Sequence, residues 1–234
     1  MNERNSTDPL DSARAFWTSE TASTAIFVAL AAALGFLLLS VPNVELVTFT
    51  VFASGVALGR WRGALVGALA MAIYSGANPF GSGLGVPTMF AAQIAASALS
   101  GFAGGVTAPL WRGRSTGHMS AASFEFEPRA VFRLARGRGM PFLAGTIGLA
   151  LTAVYQAAVI VGLAVMSPEF RTGALAVLIS NAFFSSVHLL SNTIVFAVLA
   201  PAVLPRVARL AGDRATRPGP GSGPLRGRVD GGSA

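Results

Sequence analysis

Long apolar stretches limit what this chain can fold into more than any other feature. Six of them lie at about 22–41, 44–59, 63–76, 86–110, 141–166 and 172–200. Only 12% of the residues are charged, roughly half the fraction of a soluble domain. Several of these stretches are long and apolar enough to cross a bilayer. The sequence therefore predicts an all-α, polytopic membrane protein built as a bundle of six transmembrane helices.

The second and third stretches are shorter than the others. Sixteen helical residues reach about 24 Å, less than the roughly 30 Å of a hydrocarbon core, so the pair could instead form one re-entrant hairpin. Arg60 and Arg62 lie between them. In a hairpin both guanidiniums would lie near mid-membrane, at a cost of about 2.5–3.5 kcal/mol each. We therefore expect two separate spans, with their turn at a water interface.

Arginine, the chain's only basic residue apart from two histidines, indicates the orientation. The turn between segments 2 and 3, the loop between 4 and 5 and the tail hold Arg60, Arg62, Arg112, Arg114, Arg129, Arg133, Arg136, Arg138, Arg206, Arg209, Arg214, Arg217, Arg226 and Arg228. The opposite side holds Arg171, offset by Glu169. Cytoplasmic loops carry the excess of positive charge, so both termini are predicted to be cytoplasmic.

Three parts follow from these boundaries. A cytoplasmic segment at 1–21 precedes a transmembrane domain at 22–205, which includes a basic cytoplasmic loop at about 111–140. The loop sequence "EPRAVFRLARGRG" (127–139) fits an interfacial amphipathic helix or a solvated linker equally well. The Arg/Gly/Pro-rich tail at 206–234 cannot bury a core, so we expect it to be disordered.

Several function classes are excluded by composition. The chain has no cysteine and no lysine, which removes thiol chemistry and a P-loop ATPase site. Its arginines lie between apolar runs rather than along one face, so nucleic acid is not an expected partner. His188 has no second ligand at metal spacing, and "FGSG" has Phe80 where a rhomboid-type serine protease needs glycine. No metal, cofactor or catalytic residue is predicted.

Polar residues within the last three apolar segments are candidates for a ligand site. They are Gln93 of segment 4, Tyr155 and Gln156 of segment 5, and Asn181, Ser185, His188 and Asn192 of segment 6. The four in segment 6 share one helical face. Polar groups at membrane depth face protein or water rather than lipid. They either hydrogen-bond neighbouring helices, at about 0.6 kcal/mol each, or line a site.

The segments between the apolar stretches on the side opposite the arginines add further candidates. Asn43 and Glu45 either cap and charge the start of helix 2 or form a polar wall. Asn78 and Ser82 lie in the glycine-rich segment "SGANPFGSGLGVP" (75–87), whose composition is first of all that of a turn.

Small residues recur every four positions in the first segment, at Ala25, Ala29 and Ala33. Such a stripe lets another helix approach closely. It also arises without function in an alanine-rich chain, and the sequence leaves both explanations open.

Residues 42–105 resemble the substrate-binding S components of energy-coupling factor (ECF) vitamin transporters. The likeness lies in "PNVE" (42–45), in the Gly59-Arg60 turn, in "GALVGAL" (63–69), in the "NP" and glycine of "NPFG" (78–81) and in the alanine stripe. It is strongest over about 22–110 and weaker over helices 5 and 6.

The resemblance implies a six-helix bundle in a bacterial cell membrane that binds a vitamin-like molecule near its outer face. Transport would require a T component and two ATPase subunits, with Ala25, Ala29 and Ala33 docking on the former. The implied substrate-binding residues are Asn43, Glu45, Asn78, Ser82, Gln93, Tyr155, Gln156, Asn181, Ser185 and His188. The alternatives are a membrane-embedded enzyme or assembly factor using Glu45 and His188, and a solitary small-molecule transporter.

Overall fold

In the described part of the chain, six α-helices occupy the six apolar segments. The computed structural model describes residues 20–39, 46–79, 83–112, 139–166 and 174–216. The helices are α1 (Glu20–Leu37), α2 (Val47–Leu58), α3 (Arg60–Gly76), α4 (Pro87–Trp111), α5 (Met140–Met166) and α6 (Ala174–Thr216), with a 3-10 turn at Gly83–Gly85. No strand occurs in these ranges, which confirms the all-α prediction.

Four of the helices are long and apolar enough to cross a membrane. They are Glu20–Leu37, Pro87–Trp111, Met140–Met166 and the Ala182–Arg209 part of α6. The predicted membrane protein is therefore supported by four candidate spans. With 12 and 17 residues, α2 and α3 are about 18 and 26 Å long, so a count of six spans remains a prediction.

A single residue, Gly59, joins α2 to α3. Its φ of 90° is one that residues with a Cβ rarely adopt. Arg60 and Arg62, predicted to lie in the turn, instead form the first turn of α3, where the helix dipole disfavours positive charge. Arg62 forms an ion pair with Glu20 at the start of α1. This contact offsets the dipole and brings the first turns of α1 and α3 together.

The two ends of the bundle differ in composition. One end, the arginine end, contains Gly59 and the first turns of α1, α3 and α5. It also contains the parts of α4 and α6 around Trp111 and Leu204, two residues that belong to the same apolar cluster. The other, called the loop end, contains the last turns of α3 and α5, the 3-10 turn and the start of α4. There the Thr88 hydroxyl donates to the Gly162 carbonyl oxygen over 2.5 Å, joining α4 to α5.

Helix α2 forms the centre of the bundle. Every residue from Val47 to Val56 is buried, and the helix contacts α1, α3, α4 and α6. A helix that is apolar on all sides is stable in a protein interior or in lipid, and here the neighbouring helices cover it. At the arginine end Phe52 packs edge-on against Phe196 of α6 and Trp111 of α4.

Glycines bring α2, α3 and α4 into backbone contact. A Cβ added at Gly101 would overlap the Gly63 carbonyl, and one at Gly104 would overlap the Phe52 carbonyl. Gly67 lies equally close to the Ser97 carbonyl. In lipid, where apolar surface gains nothing by leaving the solvent, such close packing is a main source of helix association. These three helices therefore form a tightly packed unit.

One boundary prediction is wrong. The disordered tail was expected from residue 206, but α6 continues to Thr216. The segment "RVARLAGDRAT" (206–216) is rich in alanine, leucine and arginine, which favour helix, and extending an existing helix is far easier than starting one. The remainder of the predicted tail, 217–234, lies outside the described residues, as do 1–19 and most of the basic loop.

Candidate functional site

Polar side chains collect inside the loop-end half of the bundle. The first pair links α3 to α4: the Ser75 hydroxyl donates to Oε1 of Gln93 over 2.6 Å. The 3-10 turn lies directly on this pair, since a Cβ on Gly83 would lie 2.9 Å from the Phe90 ring and 3.3 Å from Gln93 Oε1. Ser75 is buried and Gln93 half-buried. The 3-10 turn thus covers one polar contact of the site.

A second group lies between α3, α5 and α6. The Tyr155 hydroxyl lies 3.9 Å from Met71 Sδ, and the Tyr155 ring stands edge-on to the His188 ring with centroids 5.9 Å apart. Nε2 of Gln156 lies 3.2 Å from Nδ1 of His188. An amide nitrogen only donates, so Nδ1 accepts in this contact. The three predicted residues Tyr155, Gln156 and His188 are therefore brought together.

The register of α5 against α6 adds a third layer. Gly148 lets Phe196 approach so closely that a Cβ would lie 2.7 Å from it, and Gln156 meets His188 eight residues further along α5. Between these contacts the antiparallel register places Thr152 opposite Asn192. The Thr152 hydroxyl donates to the Gly148 carbonyl over 2.8 Å.

Asn192 is fully buried. Neither its Nδ2 nor its Oδ1 has a hydrogen-bond partner in the described part of the chain. Buried polar atoms are nearly always paired, so this amide is an unusual feature of the bundle interior. Asn192 was identified from the sequence as part of the polar face of helix 6, and its burial beside His188 fits that face.

Other predicted site residues lie further out or outside the description. Asn78 follows the end of α3 and is half-buried, as is Ser185 on α6. The backbone of Asn181 belongs to α6, but its side chain is not described, and Asn43, Glu45 and Ser82 lie outside the described residues. Their assignment to a binding site stays a prediction.

The alanine stripe of α1 lies on the outside of the bundle. Ala25, Ala29 and Ala33 are all exposed, while the opposite side of α1, including Val28, Ala31 and Gly35, is buried. No described helix covers the stripe. Binding of a partner subunit to this stripe stays a prediction.

Sequence reasoning missed four contributors to the site: Ser75, Thr88, Met71 and Thr152. Ser75 and Thr88 flank a glycine-rich segment, where serine and threonine are typical of turns. Met71 and Thr152 lie in apolar helices, and both are common there. A polar residue one turn from Gln156 on the same face of α5 was the one available signal for Thr152.

The two halves of the bundle differ in the charge of their described residues. The charged residues whose side chains are described all lie at the arginine end: Glu20, Arg60, Arg62, Arg112, Arg206 and Arg209. The loop-end half described here holds only neutral polar groups and one histidine. Among the described residues no group of three His, Asp or Glu is placed to hold a metal. The described side chains of this half can donate and accept hydrogen bonds to a neutral group.

Comparisons with known proteins return no match: no family model, no curated protein and no solved structure matches this chain. The function is therefore argued from the site.

Proposed function

We propose that this chain is the substrate-binding S component of an ECF-type importer. It binds a water-soluble vitamin or related micronutrient from the extracytoplasmic side of a bacterial cell membrane. It delivers the molecule by docking on a T component with two ATPase subunits. The observation that carries the proposal is the separation of polar groups within the bundle. Hydrogen-bonding side chains face each other inside the loop-end half, and the charges of the described residues lie at the arginine end.

The first support is the position of the polar layers. Gln93 of α4 pairs with Ser75 of α3, and Tyr155 and Gln156 of α5 contact His188 of α6, so each of these polar groups lies against a neighbouring helix. Polar groups inside a membrane bundle are costly, so a set of them from several helices is typical of a pathway or ligand site. A molecule entering at the loop end meets the Ser75–Gln93 pair first and the Gln156–His188 pair below it.

The orientation in the membrane follows from the arginines. In this proposal the arginine end faces the cytoplasm, because positive charge is retained on that side. Both termini then lie in the cytoplasm, α2 and α3 complete six spans, and Gly59 turns at the inner surface. The loop end faces outward, which gives an external substrate a direct approach to the polar layers.

The exposed stripe Ala25, Ala29 and Ala33 is the proposed docking surface for the T component. A side free of bulk permits close backbone approach, which is how helices associate in lipid. The energy for transport must come from partner subunits, since a chain without lysine has no P-loop.

Uptake measurements in cells test this proposal. The chain is expressed with and without a T component and ATPases, and a small molecule that co-purifies with it is identified by mass spectrometry. We expect the isolated chain to bind that molecule and cells to accumulate it only when all subunits are present. Ala29→Trp should abolish uptake and leave binding intact, because it places bulk on the docking stripe.

Leu30→Trp is the matched control. Leu30 is also exposed on α1 but lies about 100° around the helix from Ala29, so it should retain uptake. Equal loss of uptake and binding in Ala29→Trp, or equal loss of uptake in both variants, would refute docking through the stripe. Accumulation by the chain alone would refute the S-component assignment.

A further inference from the structure

The amide of Asn192 lacks what a buried amide normally has. An asparagine side chain offers two N–H donors and a carbonyl acceptor, and both polar atoms of Asn192 are buried without a partner in the described chain. Leaving such atoms unpaired lowers stability, and an apolar residue of the same size would not. A group that hydrogen-bonds Asn192 some of the time would account for an amide at this position.

The surroundings of Asn192 define a layered site. Toward the loop end lies the Gln156–His188 pair, with the Tyr155 ring against the imidazole. On the other side Phe196 closes the layer against Gly148 and packs on Phe52. Asn192 is ten residues from the start of the candidate span at Ala182, about 15 Å along the helix axis. It therefore forms the floor beneath the Gln156–His188 pair.

The charges of the described residues around Asn192 indicate the charge of a molecule that would bind there. No described residue of the loop-end half carries a carboxylate, guanidinium or ammonium group. A carboxylate or phosphate placed beside Asn192 would be buried without a counter-charge among these described residues, which is strongly unfavourable. A neutral group meets no such penalty, and amide–amide hydrogen bonds satisfy both partners.

We propose that Asn192, together with the Gln156–His188 pair, binds the amide edge of an uncharged heterocycle, a flat ring bearing adjacent N–H and C=O groups. The amide edge satisfies both the donor and the acceptor of Asn192, and the ring lies beside Tyr155 and His188. This inference deepens the proposed function by naming the substrate class, and it rests on that function only for the claim that the bound molecule is transported.

Thermal unfolding of the purified full-length chain in detergent tests the inference with two matched pairs of probes. Uracil has the amide edge in its ring and nicotinamide carries a carboxamide on its ring, and both are neutral. Orotate keeps the amide edge of uracil and adds a carboxylate, whereas nicotinate has a carboxylate in place of the carboxamide. We expect at least one neutral probe to raise Tm by about 2 °C or more and its anionic counterpart to have no effect. The stabilisation should be lost in Asn192→Leu.

Two further Tm measurements complete the test. Without probe, Asn192→Leu should raise Tm, because it replaces unpaired polar atoms with an apolar side chain of similar size. Thr193→Val, the neighbouring residue, removes a hydroxyl that bonds within α6 and should retain the response to the neutral probe. Stabilisation by the acids, or by neither neutral probe, would overturn the inference. A lowered Tm in probe-free Asn192→Leu would also overturn it, since a permanently bound water would then be the partner of the amide.

These outcomes are separate from those of the transport experiment. Binding of a neutral probe is measured on the chain alone, so it stands even when uptake proves independent of a T component. Uptake that requires all subunits, combined with no response to the neutral probes, would instead sustain the proposed function and reject the amide-bearing substrate class.

Discussion

The α2–α3–α4 unit and the α5–α6 pair are joined in different ways. In the first, glycines bring backbones into contact and the buried side chains are mostly apolar. In the second, the layers between the helices are Gln156–His188, Thr152–Asn192 and Gly148–Phe196, two of them polar. Backbone contact leaves no room for another molecule, whereas polar layers with an unpaired amide favour one. The contrast indicates a closely packed part, whose polar contact at the loop end is Ser75–Gln93, beside a helix pair whose own packing includes polar layers.

The largest expected loss of stability follows from substituting a glycine at a contact between helix backbones. Gly101→Leu would force α4 away from α3, because even a Cβ at that position overlaps the Gly63 carbonyl. We expect loss of about 4 kcal/mol or more, or no folded protein, measured by size-exclusion chromatography and thermal unfolding in detergent.

Gly76→Ala is its control. The nearest atoms to a Cβ at Gly76 belong to Phe90 at 3.9 Å, an ordinary contact, so the change should leave Tm within about 2 °C. A Gly101→Leu protein as stable as Gly76→Ala would show that the close approach of α3 and α4 is wrong.

A smaller effect is expected at the polar pair under the 3-10 turn. Ser75→Ala removes the donor to Gln93 Oε1, and we expect a loss of about 1 kcal/mol in stability. Binding of the co-purified molecule should weaken as well, since the released glutamine can rotate. Thr107→Val removes a hydroxyl that bonds only within α4 and to Trp111 at the arginine end. It should leave binding unchanged, and equal weakening in both variants would contradict a site at the loop end.

The smallest effect is expected at the arginine end. Glu20→Gln removes the ion pair with Arg62. The Glu20 side chain is 67% exposed and the Arg62 side chain 43%. An exposed pair contributes about 0–1 kcal/mol, so Tm should fall slightly at low salt and the difference should vanish at high salt. A large, salt-independent loss would mean that this contact is a central part of the fold rather than a surface pair.

The fold could be predicted from the sequence as far as apolar length and periodicity carry information. All six helices coincide with apolar segments, because a run of apolar residues between Arg, Gly and Pro has few other outcomes in a membrane. That α2 is surrounded by protein could not be predicted. A helix apolar on all sides fits lipid and a protein interior equally well, and the difference lies in glycines contributed by α4.

The site shows the same limit. The face that carries His188 and Asn192 follows from helical spacing, and Gln156 was expected nearby. Ser75, the partner of Gln93, was not expected in the site. A serine beside a glycine resembles a turn residue, and its role is seen only when α3 and α4 are placed side by side. Contacts between distant segments depend on register, and the register of α5 on α6 is set by Gly148 and Phe196, which no local pattern marks.

The central claim is that the polar layers open to the outside while the arginine end faces the cytoplasm. The chain has no cysteine, so single cysteines can be labelled in intact cells with a membrane-impermeant maleimide. Leu84 and Trp61 are both well exposed, 61% and 70%, at the loop end and the arginine end. The account predicts that Leu84→Cys is labelled in intact cells and Trp61→Cys only after permeabilisation. Labelling of Trp61→Cys in intact cells, with Leu84→Cys protected, would contradict it.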